Sequence, residues 1–502
     1  MRQLLTTTIL AGLLLASGAS AEIPKGGWVF DSSPDYPGFT RLVIEEKKGQ
    51  LSGKVTSKWY GDLPLTDLHA DGDTLVFKLY NGNPRVTMSD IVVKPEGKSV
   101  RMTGKVWYQD FDLTAHKGKR SELKALDFPT YPLPPKRVVT QKLLAPTPPM
   151  GWSSWNKFAT DINDQTIREI ADALVSSGLR DAGYTYVNID DGWQGERDAQ
   201  GNLHPNKNFP DMKALADYVH ARGLKLGIYT SPGPKTCAGY NGSYGHIKQD
   251  ADTFAAWGID YLKYDLCSGE AFYSTAETVY ATYQEMGEAL NATDRDIVYS
   301  LCEYGRFDVG SWGRQVGGHL WRTTGDIEDK YDVMARIGFD KNGVANHTGP
   351  NGWNDPDMLE IGNGGMSQDE YRTHMTLWAM MSAPLVLGND VRHMSPETLA
   401  LLTNKDVIAI DQDTLGAQGL PAKKDGQTEV WTKKLADGST AVALFNRGDE
   451  NTLISGTWAD IKVTISSGGT TVRDLWAHSD HHADEGYAYA VPKHGAVLLR
   501  VK

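Results

Sequence analysis

Ile259-Asp-Tyr-Leu-Lys-Tyr-Asp265 is a short aromatic and aliphatic run that ends in a carboxylate, and a helical pattern from Gln249 to Trp257 leads straight into it. The same texture recurs on both sides. Runs of strand length stand at Tyr184-Thr-Tyr-Val-Asn-Ile-Asp190, Lys225-Leu-Gly-Ile-Tyr229, Ile297-Val-Tyr-Ser-Leu-Cys302 and Leu320-Trp-Arg-Thr-Thr324. Around them, Gln165 to Ser177, Met212 to Ala221 and Asp369 to Met381 carry apolar residues at three-to-four spacing, as amphipathic helices do. Repeated strand-helix alternation predicts a parallel sheet, and a region of about 270 residues suits an α/β fold of the (β/α)8 TIM-barrel type. A doubly wound open sheet is the structural rival. Its nucleotide-binding signature is a glycine-rich strand-to-helix turn, and neither G-x-G-x-x-G nor G-x-x-x-x-G-K-[ST] occurs, so the barrel is the expectation.

Outward from the barrel the pattern changes. From about Gly27 to Lys117, short alternating segments such as Thr40-Arg-Leu-Val-Ile-Glu45 and Thr74-Leu-Val-Phe-Lys-Leu-Tyr80 are separated by Asp-Gly and Asn-Gly turns, which reads as an all-β domain over 22–126. Phe128-Pro-Thr-Tyr-Pro-Leu-Pro-Pro135 and Pro146-Thr-Pro-Pro149 hold too much proline for regular pairing, and 127–143 is read as an extended linker. The barrel then occupies 144–417. Thr428-Glu-Val-Trp-Thr-Lys433, Thr440-Ala-Val-Ala-Leu-Phe445 and Gly495-Ala-Val-Leu-Leu-Arg-Val501 alternate again, predicting an antiparallel C-terminal β-sandwich over 418–502. At the other end, Arg2, an apolar stretch from Leu4 to Ala16 and Ala19-Ser20-Ala21 have the order of a cleaved signal peptide over 1–21. The apolar part is too short for a bilayer span, and Pro24 and two glycines follow at once. A secreted or periplasmic protein is expected.

A formal net charge of −12 without long Lys/Arg blocks argues against nucleic acid or an anionic membrane as partner and favours a neutral ligand. The three cysteines, Cys237, Cys267 and Cys302, fit no zinc spacing. An exported chain has room for one disulfide among them, leaving one thiol free or paired outside the chain. His478-Ser-Asp-His-His482 is read as a surface loop, and no metal or other cofactor is expected.

The chemistry lies at the strand ends. Asp190 and Asp191 close the second barrel strand, Tyr229 the third, and Lys263 and Asp265 the fourth. Glu303 follows the fifth, Arg322 and Asp326 belong to the sixth, and Asp355 and Asp357 lie in Gly352-Trp-Asn-Asp-Pro-Asp-Met358. A barrel gathers the C-terminal ends of all its strands at one mouth, so these residues are expected to converge although they are far apart in sequence. One carboxylate alone would read as a helix cap or a solvated loop residue. The set, interleaved with Lys, Arg, Trp and Tyr, describes a polar, aromatic-walled cleft suited to a sugar. Hydrolysis of a glycosidic bond needs two carboxyl groups. Lys263 lies two residues before Asp265 on the same strand face and favours its ionised form, as a nucleophile requires. Asp326, beside Gly325, is placed to act as general acid/base with a raised pKa.

Taken together, Pro149-Met-Gly-Trp-Ser-Ser-Trp-Asn156, Tyr186-Val-Asn-Ile-Asp-Asp-Gly-Trp193, Leu262-Lys-Tyr-Asp265, Trp321-Arg-Thr-Thr-Gly-Asp326 and Gly352-Trp-Asn-Asp-Pro-Asp-Met-Leu359 resemble glycoside hydrolase family 27, the melibiase family of α-galactosidases and α-N-acetylgalactosaminidases. The resemblance runs from Leu144 to the C-terminus. It implies a retaining double displacement that releases terminal α-D-galactose from an oligosaccharide or polysaccharide, with Asp265 as nucleophile and Asp326 as acid/base. It further implies that Asp190 and Asp191 hold the hydroxyls at carbons four and six, and that Lys263, Glu303 and Arg322 hold those at two to four. Trp155, Tyr229, Asp357 and Met358 would line the remainder. A Cys237–Cys267 disulfide is likewise implied, with Cys302 a free, buried thiol.

Three features depart from the family pattern. Thr230-Ser-Pro-Gly233 replaces the usual Ser-Asp-Ala-Gly, Tyr304-Gly-Arg-Phe307 follows Glu303 with Arg306 near the carbon-two pocket, and an all-β domain precedes the barrel. A β-L-arabinopyranosidase is the runner-up within the same chemistry. A non-catalytic sugar-binding protein is the alternative from another class, disfavoured because both Asp265 and Asp326 are present. In the N-terminal domain, Tyr60, Trp107 and Tyr108 suit a packed core or a sugar platform equally well. Sequons stand at Asn241, Asn291 and Asn346, and the sequence leaves the oligomeric state open.

Overall fold

The computed structural model describes residues 23–33, 35, 37–79, 90–106, 109–124, 129–267, 269–343, 347–465, 470–482 and 485–502. Residues 1–22, read in the sequence as containing a signal peptide, and Trp107, Tyr108 and Asn346 lie outside them. The chain divides into two compact units, one comprising 1–80 and 87–128 and the other 81–86 and 129–502.

The first unit is a closed antiparallel barrel of eight strands, running from Gly26–Phe30 to Gln109–Lys117, which pair with each other to close the ring. Each strand pairs with its sequence neighbours, so the alternation seen in the sequence becomes an inside and an outside. Leu42, Ile44, Leu75, Phe77, Ile91, Val93 and Met102 fill the inside almost without exposure. Tyr60 is buried and belongs to this packing rather than to an exposed platform.

The second unit contains the parallel barrel. Its strands are β1 (Met150–Ser153), β2 (Tyr186–Asn188), β3 (Lys225–Thr230), β4 (Tyr261–Asp265), β5 (Val298–Cys302), β6 (Leu320–Arg322), β7 (Trp353–Asp355) and β8 (Leu385–Leu387). Parallel pairing runs β8-β1-β2-β3-β4-β5-β6-β7, and Leu359, just past β7, bridges Leu387 of β8 to complete the circuit. The strands are buried on both faces, which explains their near-continuous apolar character. Gly151 of β1 is required where the strands approach: a Cβ there would lie 2.4 Å from the Tyr186 carbonyl oxygen. The expected helices form at Asp164–Ser176, Met212–His220, Ile247–Trp257 and Gln368–Met381, each within two residues of the sequence boundaries. Their starts are set by local chemistry. Asn163 and Asp211 accept the third-residue N–H of the helices that follow, and Ser367 with Glu370 forms a reciprocal capping box.

The Pro-rich stretch is extended, as proline requires, and it is fastened to the barrel: the Val139 N–H bonds the Gln315 carbonyl at 2.7 Å and the Arg137 N–H bonds the Gln284 side chain. C-terminal to the barrel, a six-stranded antiparallel sheet faces a two-stranded ribbon, Thr452–Thr457 with Gly486–Val491. Trp431, Phe445 and Leu498 of this sandwich join the same apolar core as the barrel helices. Lys433 is buried with them and donates to the carbonyls of Ala379 and Ile410 and to the Ser382 hydroxyl, placing its charge at the C-terminal ends of two helices. Burial nevertheless pushes its pKa down to about 8. The histidine cluster expected as a loop is instead an exposed edge strand, Ser479–His482, because its backbone completes a ladder with Thr471–Asp474.

Candidate active site

All eight barrel strands, or the residues just beyond them, contribute to one small cavity of about 30 Å³ at the barrel axis: Ser153, Asn188, Ile228, Lys263, Ser300, Arg322, Asp355 and Val386 all line it. Parallel strands in a closed barrel point their C-terminal ends the same way, so the polar residues spread along the sequence meet at one mouth.

Asp190, Lys263 and Asp265 form the first part of that mouth. The Lys263 ammonium donates to Asp190 Oδ2 at 2.8 Å and lies 3.9 Å from Asp265 Oδ2. The sequence paired Lys263 with Asp265 as strand neighbours, but across the sheet Asp190 is its closer partner. Asp191 accepts the Ala238 N–H at 2.8 Å on Oδ2, and burial pushes its carboxyl up to about 7. Asp265 is 3% exposed. Burial pushes its pKa up; Lys263, the Tyr304 hydroxyl and the Cys267 N–H oppose that, while the Asp326 charge adds to it.

The disulfide Cys237–Cys267 is present, and Cys302 is a free, buried thiol. The bridge joins the loops after β3 and β4, and each loop donates one backbone N–H to an acid: Ala238 to Asp191 and Cys267 to Asp265. Cys237, Asp265 and Cys267 cluster closely enough to hold an ion, but sulfurs joined in a disulfide offer no thiolate ligand. Tyr229 donates its hydroxyl to Cys237 Sγ at 2.9 Å. The departing segment after it is tied down as well, with Ser231 Oγ donating to the Cys267 carbonyl and Thr230 bonded to Ser243.

Arg322 organises the opposite side. Its Nη2 lies 2.9 Å from Asp326 Oδ1 and 3.0 Å from Asp357 Oδ2, while Asp357 also accepts the Ile327 N–H. Asp326 has a guanidinium partner and a side chain 49% exposed. Asp357 adopts φ 84°, a left-handed conformation uncommon outside glycine, with its N–H donated to Asp355 Oδ1. Burial pushes Asp355 up to about 6. Glu303 is fully buried and held well above its usual range by that burial; its Oε2, like Arg322 Nε, has no partner among the described residues. Met358 is buried at the cavity edge, and Trp155 opens the short helix Trp155–Phe158 after β1, partly exposed. Arg306 pairs with buried Glu270 at 2.8 Å.

Residues 147–413 match the family profile described as alpha galactosidase A, and residues 425–501 match the alpha galactosidase C-terminal beta sandwich domain. The chain belongs to the α-galactosidase family. It is a glycoside hydrolase that releases terminal galactose, and its melibiase resemblance in sequence is thereby established. The α-galactosidase of Cyamopsis tetragonoloba is 48% identical over 350 residues, covering 68% of this chain and 83% of that one. The crystal structure of α-galactosidase I from Mortierella vinacea aligns with a TM-score of 0.69 at 38% identity, covering 71% of this chain and 97% of its own. A Bacteroides fragilis chain of the α-galactosidase/melibiase group aligns with a TM-score of 0.67 at 32% identity and covers 96% of this chain and 99% of its own, so its match extends through the N-terminal barrel.

Of the site residues read from the sequence, Asp190, Lys263, Arg322, Asp357 and Met358 line the cavity, with Asp265 beside Lys263 and Asp326 beside Arg322. Tyr304 was missed as a partner: it donates its hydroxyl to Asp265 Oδ1 at 2.5 Å. Its position next to Glu303 was the available signal, but no periodicity reveals which way a residue in a turn will aim. The backbone donors of Ala238 and Cys267 were invisible for a stronger reason, since main-chain groups have no sequence signature.

Proposed function

We propose that this enzyme cleaves terminal α-D-galactosides by a retaining double displacement in which Asp265 is the nucleophile and Asp326 the general acid/base. The observation that carries the reading is the contrast between the two carboxyl groups. Asp265 is buried, with two donors on Oδ1 and the Lys263 ammonium near Oδ2. That environment suits a carboxylate that attacks the anomeric carbon. Asp326, in the loop after β6, is half exposed, where a leaving oxygen would take its proton. In the first step Asp265 Oδ2 bonds to the anomeric carbon as the aglycone departs with the Asp326 proton; in the second, water deprotonated by Asp326 displaces the carboxylate.

The unpaired Glu303 Oε2 and Arg322 Nε support a polyhydroxylated ligand, since burying such atoms without a partner is costly. Asp190, Asp191 and Lys263 are assigned to sugar hydroxyls on the same ground, with Trp155, Tyr229, Asp357 and Met358 as walls. We assign residues 1–21 to an export signal; among the described residues no helix is long and apolar enough to cross a membrane. The test compares Asp326→Ala on aryl galactosides. A good leaving group such as dinitrophenol should retain most of its rate while an alkyl aglycone loses about 10³-fold. Equal losses on both would remove Asp326 from the acid role. Parallel kcat/KM values for α-D-galactoside and β-L-arabinopyranoside should favour the galactoside.

A further inference from the structure

Tyr304 stands two residues past β5 with φ 62°, in the left-handed region that a bulky side chain rarely adopts, and Gly305 follows at φ 75°. Gly305 cannot be replaced here, because a Cβ would lie 2.1 Å from the Thr323 carbonyl oxygen. The turn is thus pressed against the segment after β6, and its strained backbone aims the phenol inward. There the hydroxyl meets Asp265 Oδ1 at 2.5 Å, with the Cys267 N–H on the same oxygen at 3.2 Å. Only Oδ2 is left facing Lys263.

We propose that Tyr304 is a positioning residue for the nucleophile: it saturates Oδ1, so that Oδ2 alone attacks, and it stabilises the carboxylate that must leave when the glycosyl ester is hydrolysed. This rests on the assignment of Asp265 as nucleophile. When the ester forms on Oδ2, Oδ1 becomes its carbonyl oxygen; when water breaks the ester, the electron pair returns to the carboxylate, where the Tyr304 O–H is already in place. A charge-assisted hydrogen bond of this kind is stronger with the anion than with the ester. Burial holds the phenol well above its usual range, so it remains a donor. The other groups facing Asp265 are Lys263, which favours its charge, and Asp191 and Asp326, which oppose it; the neutral Tyr229 and Cys302 stand alongside.

The test is Tyr304→Phe in the full chain, which keeps the ring and removes the hydroxyl. The acid limb of kcat/KM should move upward by about one pH unit, because the carboxylate has lost a charged hydrogen bond. At the pH optimum kcat should fall about tenfold, with glycosyl-enzyme accumulating as its hydrolysis slows. Tyr304→Leu, which likewise lacks a donor, should show the same limb shift, and the melting temperature of each checks folding. Trapping with a 2-deoxy-2-fluoro-galactosyl fluoride, followed by peptide mass analysis, separates the two possible failures. Label on Asp265 with an unmoved acid limb overturns the role of Tyr304 alone. Label on another residue overturns the nucleophile assignment and this inference with it.

Discussion

The molecule contains two eight-stranded barrels that use their strands in opposite ways. In the N-terminal barrel, successive strands run antiparallel, so neither end collects one kind of terminus, and the interior is filled by residues such as Leu42, Phe77 and Val93. In the catalytic barrel every strand points the same way, and one end gathers Asp190, Lys263, Asp265, Arg322 and Asp357, all buried or nearly so. Strand number therefore says little about function. Strand direction decides whether charges that are scattered in sequence can meet, and a meeting of charges is what catalysis needs.

The comparison implies that polar residues at the catalytic mouth serve activity, while apolar residues inside the N-terminal barrel serve stability. The largest expected effect is that of Asp265→Ala, which should lower kcat by on the order of 10⁵-fold without lowering the melting temperature. Added azide should partly restore turnover and give a product of inverted configuration. Phe77→Ala should do the reverse. It removes a fully buried ring and should destabilise its own barrel by about 3–5 kcal/mol, read as lost hydrogen-exchange protection across 26–117, with kcat unchanged. A parallel loss of turnover would break the division of labour between the barrels.

Next comes the Cys237–Cys267 bridge, which joins residues 30 apart in sequence. Replacing both by Ser should cost about 3 kcal/mol in thermal unfolding. It should also lower kcat/KM, since the loops it joins supply the N–H donors to Asp191 and Asp265. Loss of stability with full activity would show that those donors hold without the bridge.

The smallest effect sharpens the role of buried charge. Asp191 has its pKa raised by burial to about 7 from 3.8, so between those values the folded state holds a proton that the unfolded chain has lost. Its contribution to stability is complete below about pH 4 and is lost as the pH rises through 7. Asp191→Asn, which stays neutral, should therefore raise the melting temperature by a few degrees at pH 8 and leave it unchanged at pH 4. Equal gains at both pH values would refute burial as the cause.

Much of this was legible in the sequence. Apolar runs alternating with amphipathic stretches identified β2 to β6 because strands buried on both faces have few polar positions, and the acids at their ends stood out against that background. β7 and β8 were harder to read: Trp353–Asp355 and Leu385–Leu387 are only three residues each, too short to show a period. Asp265 stood out as a candidate because it closes a strand of a parallel barrel, and Asp326 because it follows closely on another.

By itself, then, the sequence determined the barrel and its flanking β domains and offered candidate residues for the mouth, since these follow from local pattern and strand direction. Tertiary structure alone decided the partnerships among those residues. Lys263 lies nearer Asp190 than Asp265, Arg322 bridges Asp326 and Asp357, and Tyr304 reaches the carboxylate of Asp265. The physical reason is that distances of a few ångströms between side chains on different strands depend on register, backbone turn and burial together, and none of these is carried by the spacing of residues along one chain.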